Sequence, residues 1–407
     1  MLPSIKTLYK IGPGPSSSHT IGPYKAAKDF LETSLRSGAK ILKFSVVLYG
    51  SLAFTGKGHA TDMIIREVFR GFDIKIDFDT VTKKEHPNMM VFSAYDKFGK
   101  VIFSQDYNSV GGGDLLKGKS YLESRRDIYP FDNFRQMEQY LVKSKLSVRE
   151  LILQFEGQDI LRFLEKVLNQ MMEVVNLGLK QKGEVAGELH VKRMANYTFN
   201  QAEELPREEL GKNHLYLASY AYAASECNCA GEKVVTCPTC GATGVLTGLM
   251  YYEKHNLNRS SDALLDGLAI AGLIGLIVRK NASISGAVAG CQAEIGTATS
   301  MAAGAMCLMD GLSIEQIEYA AEIGMEHSLG LTCDPVKGYV AIPCIERNVM
   351  GVFKAFDSYA LAKNLSKFRK NTISFDEAVQ AMYESGKAMH EDFKETSKGG
   401  LEKVHIC

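Results

Sequence analysis

The chain has 407 residues, 45% of them hydrophobic, with 47 basic and 47 acidic side chains. This length supports a sizeable core and two or three domains, and the balanced charge leaves no basic arm or stripe for nucleic acid. Nine cysteines in so long a chain are not the framework of a small secreted domain, and residues 1–6 lack the apolar run of a signal peptide. A reduced, cytoplasmic setting is therefore expected, in which thiols are free, metal-bound or catalytic.

In chain order, residues 26–35 read as a helix, and 41–49 (ILKFSVVLY) carry the β-branched and aromatic residues of a strand. Residues 60–70 predict a helix, 72–78 and 89–94 predict strands, and Phe98-Gly99-Lys100 marks a hairpin turn into a strand at Val101. Residues 116–150 are charged and poor in periodicity, and read as a connection. From residue 148 the helical period recurs, over 148–155, 160–178, 213–225, 243–254, 261–278, 294–308, 313–325, 347–363 and 375–393. The apolar run 263–278 is interrupted by Asp266 and flanked by Arg279-Lys280, so it reads as a buried helix and no membrane partner is expected. Gly399-Gly400 is expected to end a helix. The fold class is α+β. A small N-terminal α/β domain with a partly antiparallel sheet and its connector (1–145) precedes a large all-α domain with a C-terminal tail (146–407).

Several segments carry candidate chemistry. IGPGPSSSHTIGP (11–23) sets Ser16, Ser17, Ser18, His19 and Thr20 in a rigid frame before a helix. Hydroxyls and backbone N–H groups held this way suit an anion such as a carboxylate; a polar turn with helix caps is the plainer reading. TGKGH (55–59) sets His59 at a strand end, as an acid–base group, a ligand or a structural histidine. SVGGGD (109–114) is either a close-approach loop or a flexible exit from the sheet. Cys227, Cys229, Cys237 and Cys240 have a spacing that invites zinc. Against it, the surroundings are apolar, and Asn228, Thr236, Thr239 and Gly241 suit a small polar substrate instead. GCQAE (290–294), TCDP (332–335) and PCIERN (343–348) place Cys291, Cys333 and Cys344 among polar residues. Three thiolates can hold an iron–sulfur cluster with one iron left open. Cys307, in an Ala/Met helix, fits the alternative of a buried structural cysteine. Cys407, the last residue, is incidental unless the trio holds metal.

Together and in this order, IGPGPSSSHTIGP, LYGSLAFTGKGH, SVGGG, VVTCPTCGATG, NASISGAVAGCQAEIG, MEHSLGLTCDPV, IPCIERN and FKETSKGGL resemble the iron–sulfur-dependent L-serine dehydratases (L-serine ammonia-lyases) of bacteria, over nearly the whole chain. The resemblance implies a [4Fe–4S] cluster on Cys291, Cys333 and Cys344, with Cys407 able to cover the open iron in the resting state. It implies no pyridoxal phosphate, a small amino-acid substrate and a homodimer. His59, His19 or a displaced Cys407 is then the candidate base. Ser16, Ser17, Ser18, His19, Thr20, Asn228, Thr236, Thr239 and Gly241 would bind substrate, with L-threonine or L-cysteine as alternatives to L-serine. A zinc or redox-cysteine protein built on residues 227–240 is the reading from a different class. The chain departs from the family's usual pattern at Cys240, Thr247, Ser328, Lys337 and Ala341.

Overall fold

The computed structural model describes residues 1–123, 126–209 and 211–404. The strands are β1 (Leu2–Pro3), β2 (Ile11–Pro13), β3 (Lys43–Tyr49), β4 (Ile74–Asp79), β5 (Met89–Tyr95), β6 (Val101–Ser109), β7 (Leu115–Lys117), β8 (Ser120–Tyr121), β9 (Asp127–Tyr129) and β10 (Lys233–Val235). Six of them form a sheet in the order β4-β3-β5-β6-β7-β8. Only the β3–β4 pair is parallel; β3–β5, β5–β6, β6–β7 and β7–β8 are antiparallel. In β5, Met90, Phe92 and Ala94 are buried while their neighbours are half-exposed, the period of a sheet packed on one face. The cover is α1 (Gly22–Arg36), α2 (Ser51–Thr55) and α3 (Thr61–Val68). Phe30 of α1 stacks on Phe92 and Phe103, each at 5.3 Å between ring centroids.

The helical part comprises α4 (Phe134–Ser144), α5 (Val148–Glu156), α6 (Asp159–Gly178), α7 (Ala195–Glu204), α8 (Lys212–Cys229), α9 (Thr243–His255), α10 (Ser261–Asn281), α11 (Gly286–Ala289), α12 (Thr297–Met309), α13 (Ile314–Glu326), α14 (Cys344–Leu365), α15 (Phe375–Ala388) and α16 (Leu401–Val404). Its centre is α10 against α12, with α8, α9 and α14 around them. The small residues of α12 let the backbones approach closely. Helix α10 is long and apolar enough to cross a membrane, but it is sheathed by protein, and its one interior acid, Asp266, is paired with Arg149 at 2.7 Å.

The fold is α+β, with a second hydrophobic core separate from that of the sheet. Leu2, Ile5, Leu8 and Tyr9 belong to the helical core, although they start the chain. The Tyr9 hydroxyl donates to Leu268 O at 2.7 Å, and Arg279 donates to Thr7 O at 2.8 Å.

Three local expectations are corrected. Residues 116–150 are not a plain connection, for they contain β8, β9 and α4. Helix α4 begins where Asn133 Oδ1 accepts from Gln136 N at 2.9 Å, and it buries Phe134, Met137 and Leu141. That i, i+3, i+7 stripe was masked by the charged outer face. Helix α7 was not anticipated. Gly399-Gly400 starts a helix instead of ending one: Gly400 has φ 62°, and Leu401 N donates to Asp334 Oδ2 at 2.8 Å.

Phe134 is fully buried and meets the Phe375 ring edge-on at 5.8 Å. Phe134→Ala should cost about 3–5 kcal/mol in urea unfolding. A change under about 1 kcal/mol would return α4 to the role of a loose connector.

Candidate functional site

The N-terminal half of the site is built by two loops. Strand β2 pairs with β10, and Gly14 N donates to Glu232 O at 2.9 Å. The chain passes so close to Asn228 that a Cβ at Gly14 would collide with Asn228 O. Asn228 Nδ2 holds the next turn through Pro15 O at 2.8 Å. Ser16 Oγ accepts from His19 N at 3.1 Å, starting the wide turn Ser17–Ile21 that runs into α1. Two threonines brace the backbones of both histidines: Thr61 Oγ1 donates to His19 O at 2.6 Å and Thr20 Oγ1 donates to His59 O at 2.9 Å. The rings stack with centroids 4.4 Å apart.

The outer nitrogens of both rings are committed. His59 Nδ1 lies 2.9 Å from Thr55 O, which only accepts, so Nδ1 carries the proton and Nε2 faces inward. The Ser51 hydroxyl donates to Glu395 O at 2.6 Å, so it accepts from His19 Nε2 at 3.0 Å, leaving His19 Nδ1 facing inward. Glu395 Oε1 is 3.5 Å from both inward nitrogens. Burial pushes His19 down to about 4, against the pull of the Glu395 carboxylate, so the ring is neutral at pH 7. Burial opposes ionisation of Glu395, but the Ala287 amide and the charge that the imidazoles beside it carry when protonated pull its carboxyl below the usual range.

The helical part supplies the thiols. Cys291 follows α11 at Gly290, Cys333 lies in the loop before Asp334-Pro335, and Cys344 is the first residue of α14. Cys291 Sγ, Cys333 Sγ and a Glu294 carboxylate oxygen lie within 4.8 Å of one another. A hydrogen bond from Cys333, with help from Arg347, outweighs burial and pulls Cys291 down to about 7. Cys333 is pushed up by donating that hydrogen bond and by burial, and Cys344 by burial and the Cys291 charge. Glu294 is also pushed up, first by burial and then by Cys291 and Glu395, and its Oε1 accepts from Thr239 at 2.6 Å. Arg347 donates to Thr332 O and, at 3.2 Å, to Asp334 Oδ1.

Ser16, His59, Gly241, Glu294, Glu395 and the three cysteines line one pocket. The other expected site residues occupy different positions. Ser17 and Ser18 are buried in the turn. Thr20 and Asn228 brace backbone, and Thr236 donates to Leu8 O while accepting from Lys10 N. Thr239 reaches the site through Glu294. Cys407 lies outside the described residues.

The zinc reading of residues 227–240 is corrected. Among the described residues, the metal-capable groups are His19/His59/Glu395 and Cys291/Glu294/Cys333. The Cys227 thiol turns to Val174 O at 3.6 Å and the Cys237 thiol to Val235 O at 3.6 Å, so the set does not converge. Glu395 was missed by sequence reasoning. It lies in an aperiodic segment, FKETSKGGL, with no neighbouring residue to suggest an acid site.

Comparison with known proteins gives two family matches. Residues 4–81 match the serine dehydratase beta chain and residues 81–402 the serine dehydratase alpha chain. The chain is 36% identical to an L-serine dehydratase of Helicobacter pylori, covering 99% of both chains. It is 34% identical to L-serine dehydratase 1 of Escherichia coli and 36% identical to an L-serine dehydratase of Streptomyces coelicolor, each over 98% of both chains.

A pH dependence follows from His19. An unfolded histidine takes a proton near 6.5, whereas buried His19 resists until about 4. Between these values the unfolded state binds more protons, so His19 makes stability fall as pH drops. Urea midpoints at pH 7 and pH 4.5 should show His19→Asn with a pH loss smaller by roughly 2–3 kcal/mol. An unchanged loss would mean His19 is protonated in the fold.

Proposed function

The chain belongs to the serine dehydratase family, and from that premise we propose that it is an iron–sulfur L-serine ammonia-lyase, forming pyruvate and ammonia from L-serine. The observation that carries this reading is the single pocket joining Cys291, Cys333 and Cys344 to His59 and Glu395. The relatives' names as L-serine dehydratases support the substrate.

Cys291, Cys333 and Cys344 would hold a [4Fe–4S] cluster. The donor set fits it: alone, these thiols resist ionising together, and a cationic centre removes that conflict. Bound there, a cluster supplies a Lewis acid for the departure of a hydroxyl group, which is a poor leaving group as free hydroxide.

The chain's own residues handle the protons and the substrate. His59 Nε2, its tautomer fixed by Thr55 O, accepts the Cα proton of L-serine. Glu395 lies beside that nitrogen and favours the imidazolium that results. Ser16 offers its hydroxyl and the start of its turn to the substrate carboxylate. Loss of the Cα proton and the β-hydroxyl gives 2-aminoacrylate. Its imine tautomer takes up water and releases pyruvate and ammonia.

The direct test is pyruvate formation from L-serine, L-threonine and L-cysteine by anaerobically prepared protein. Turnover of L-serine is expected; turnover of another substrate without L-serine would reassign the activity. Cys291→Ala, Cys333→Ala and Cys344→Ala should each lose bound iron and sulfide, and activity by more than about 100-fold, beyond the usual effect of outer partners. Cys307→Ala, whose thiol packs against Gln316 O, should keep all three. His59→Gln should retain iron while kcat falls about 10²–10⁴-fold.

A further inference from the structure

Glu395 is a buried carboxylate with an unusual support. Its backbone lies in the left-handed region at φ 58°, which a residue with a side chain adopts only under constraint. The constraint is visible: Glu395 N donates to Cys333 O at 2.7 Å, and Ser51 Oγ donates to Glu395 O at 2.6 Å. The chain is bent at some cost to aim this carboxylate into the pocket that holds the three cysteines.

What the carboxylate meets there is incomplete. Among the described residues, its ion-pair partners are His19 and His59, each at 3.5 Å, too long for a good hydrogen bond. In neutral rings the two facing nitrogens are lone pairs, because both N–H groups are spent on Thr55 O and Ser51 Oγ. Arg347, the guanidinium nearest the thiols, is occupied by Thr332 O and Asp334. Three acceptors thus face a common centre, all within 4.8 Å of one another; the donors beside it are the Ala287 amide, on Glu395, and the Ser16 hydroxyl, 3.5 Å from His19 Nδ1 and too far for a good hydrogen bond. A primary ammonium has three tetrahedral N–H donors, and with hydrogen bonds of about 2.9 Å it spans acceptors up to about 4.7 Å apart.

Building on the proposed function, we propose that Glu395 is the receptor for the α-ammonium group of the substrate, with His19 Nδ1 as the second acceptor. His59 Nε2 is left for the proton on Cα, the carbon bonded to the held nitrogen. The assignment gives neutral His19 a role, since a protonated ring would repel the ammonium. It also makes chemical sense of a carboxylate beside a base. By keeping the amine protonated, Glu395 preserves an electron-withdrawing substituent on Cα and makes the Cα proton easier to remove. The site then selects α-amino acids over 2-hydroxy acids of the same shape.

The test uses the anaerobically prepared, metal-loaded full chain and two inert analogues, L-alanine with the ammonium and L-lactate without it. Calorimetric titration should show L-alanine binding more tightly than L-lactate to the wild type. Glu395→Gln should weaken L-alanine by about tenfold or more, the scale of a lost charge-assisted hydrogen bond, and leave L-lactate unchanged. Glu395→Asp should recover part of the L-alanine affinity. Equal weakening of both analogues, or unchanged L-alanine affinity with only the acid limb of the kcat/KM profile displaced, would overturn the proposal and leave Glu395 as a partner of His59 alone. Unfolding midpoints of both variants separate misfolding from lost recognition; if Glu395→Gln is misfolded, a wild type that binds the two analogues equally overturns the proposal. A wild type that binds L-alanine through Glu395 but makes no pyruvate from L-serine would sink the proposed function and leave the receptor standing.

Discussion

Two hydrogen bonds at Cys333 tie a thiol to the segment that carries Glu395. Cys333 N donates to Phe393 O and Glu395 N donates to Cys333 O, both at 2.7 Å. A thiol on one wall and a carboxylate on another are thereby set on adjacent backbone. The segment holding them is locally unfavourable, for both Glu395 (φ 58°) and Ser397 (φ 50°) are left-handed, at about 1–2 kcal/mol each. Four hydrogen bonds oppose that cost: the two at Cys333, Ser51 Oγ to Glu395 O, and Ser397 Oγ to Pro335 O. At about 1 kcal/mol net apiece they narrowly prevail. The segment's shape is thus a property of the Cys333 loop and α2, and its own sequence has little say.

Asp334 extends the same connection. Its carboxylate accepts from Arg347, Thr332 Oγ1 and Leu401 N. Arg347 is one helical turn from Cys344, so the three cysteines, the C-terminal segment and the start of α14 are mutually located. The pocket collects potential anions: three thiols, Glu294 and Glu395. Against them stands Arg347, whose positive charge burial opposes and the neighbouring Cys291 and Cys344 favour. Ionising all of these at once in a buried site would be prohibitive, so most are kept protonated. A cationic metal centre on one side and a substrate ammonium on the other are the charges this arrangement lacks.

The sequence revealed the helical part well where the period was strong, as in α6 and α10, and the sheet where alternation was regular, as in β5. It failed at α4, whose buried stripe of Phe134, Met137 and Leu141 is thin beside its charged face. The thiols were legible because each lies in a short polar context inside apolar surroundings. Glu395 was not, because its importance comes from contacts with Ser51, far away in the chain, and with Cys333, neither of which leaves a periodic trace. Asn228 and Thr236 show the converse. Their polarity suggested ligand contact, but Thr236 is spent on Leu8 and Lys10 and the Asn228 amide nitrogen on Pro15, all in the stretch leading to Ser16 and His19, while Asn228 Oδ1 has no partner among the described residues. A buried polar residue must satisfy its hydrogen bonds somewhere, and backbone is a commoner partner than substrate.

The division of labour between two hydrophobic cores explains why the motifs are so widely spaced. His19 and His59 are braced from the sheet side, and the cysteines from the helical side. Acid–base groups and thiols therefore meet only if the two parts dock closely. At their contact, Gly58 lies against Gly338, where an added Cβ would stand 2.6 Å from the Gly338 carbonyl carbon. Rigid backbone on both sides leaves no flexible side chain to absorb the clash. The position is one residue from His59, so even a methyl group there would push the base away from the thiols. Glycine at position 58 is thus a condition on the geometry of the pocket, set by the docking of the two parts and not by the conformation of its own loop.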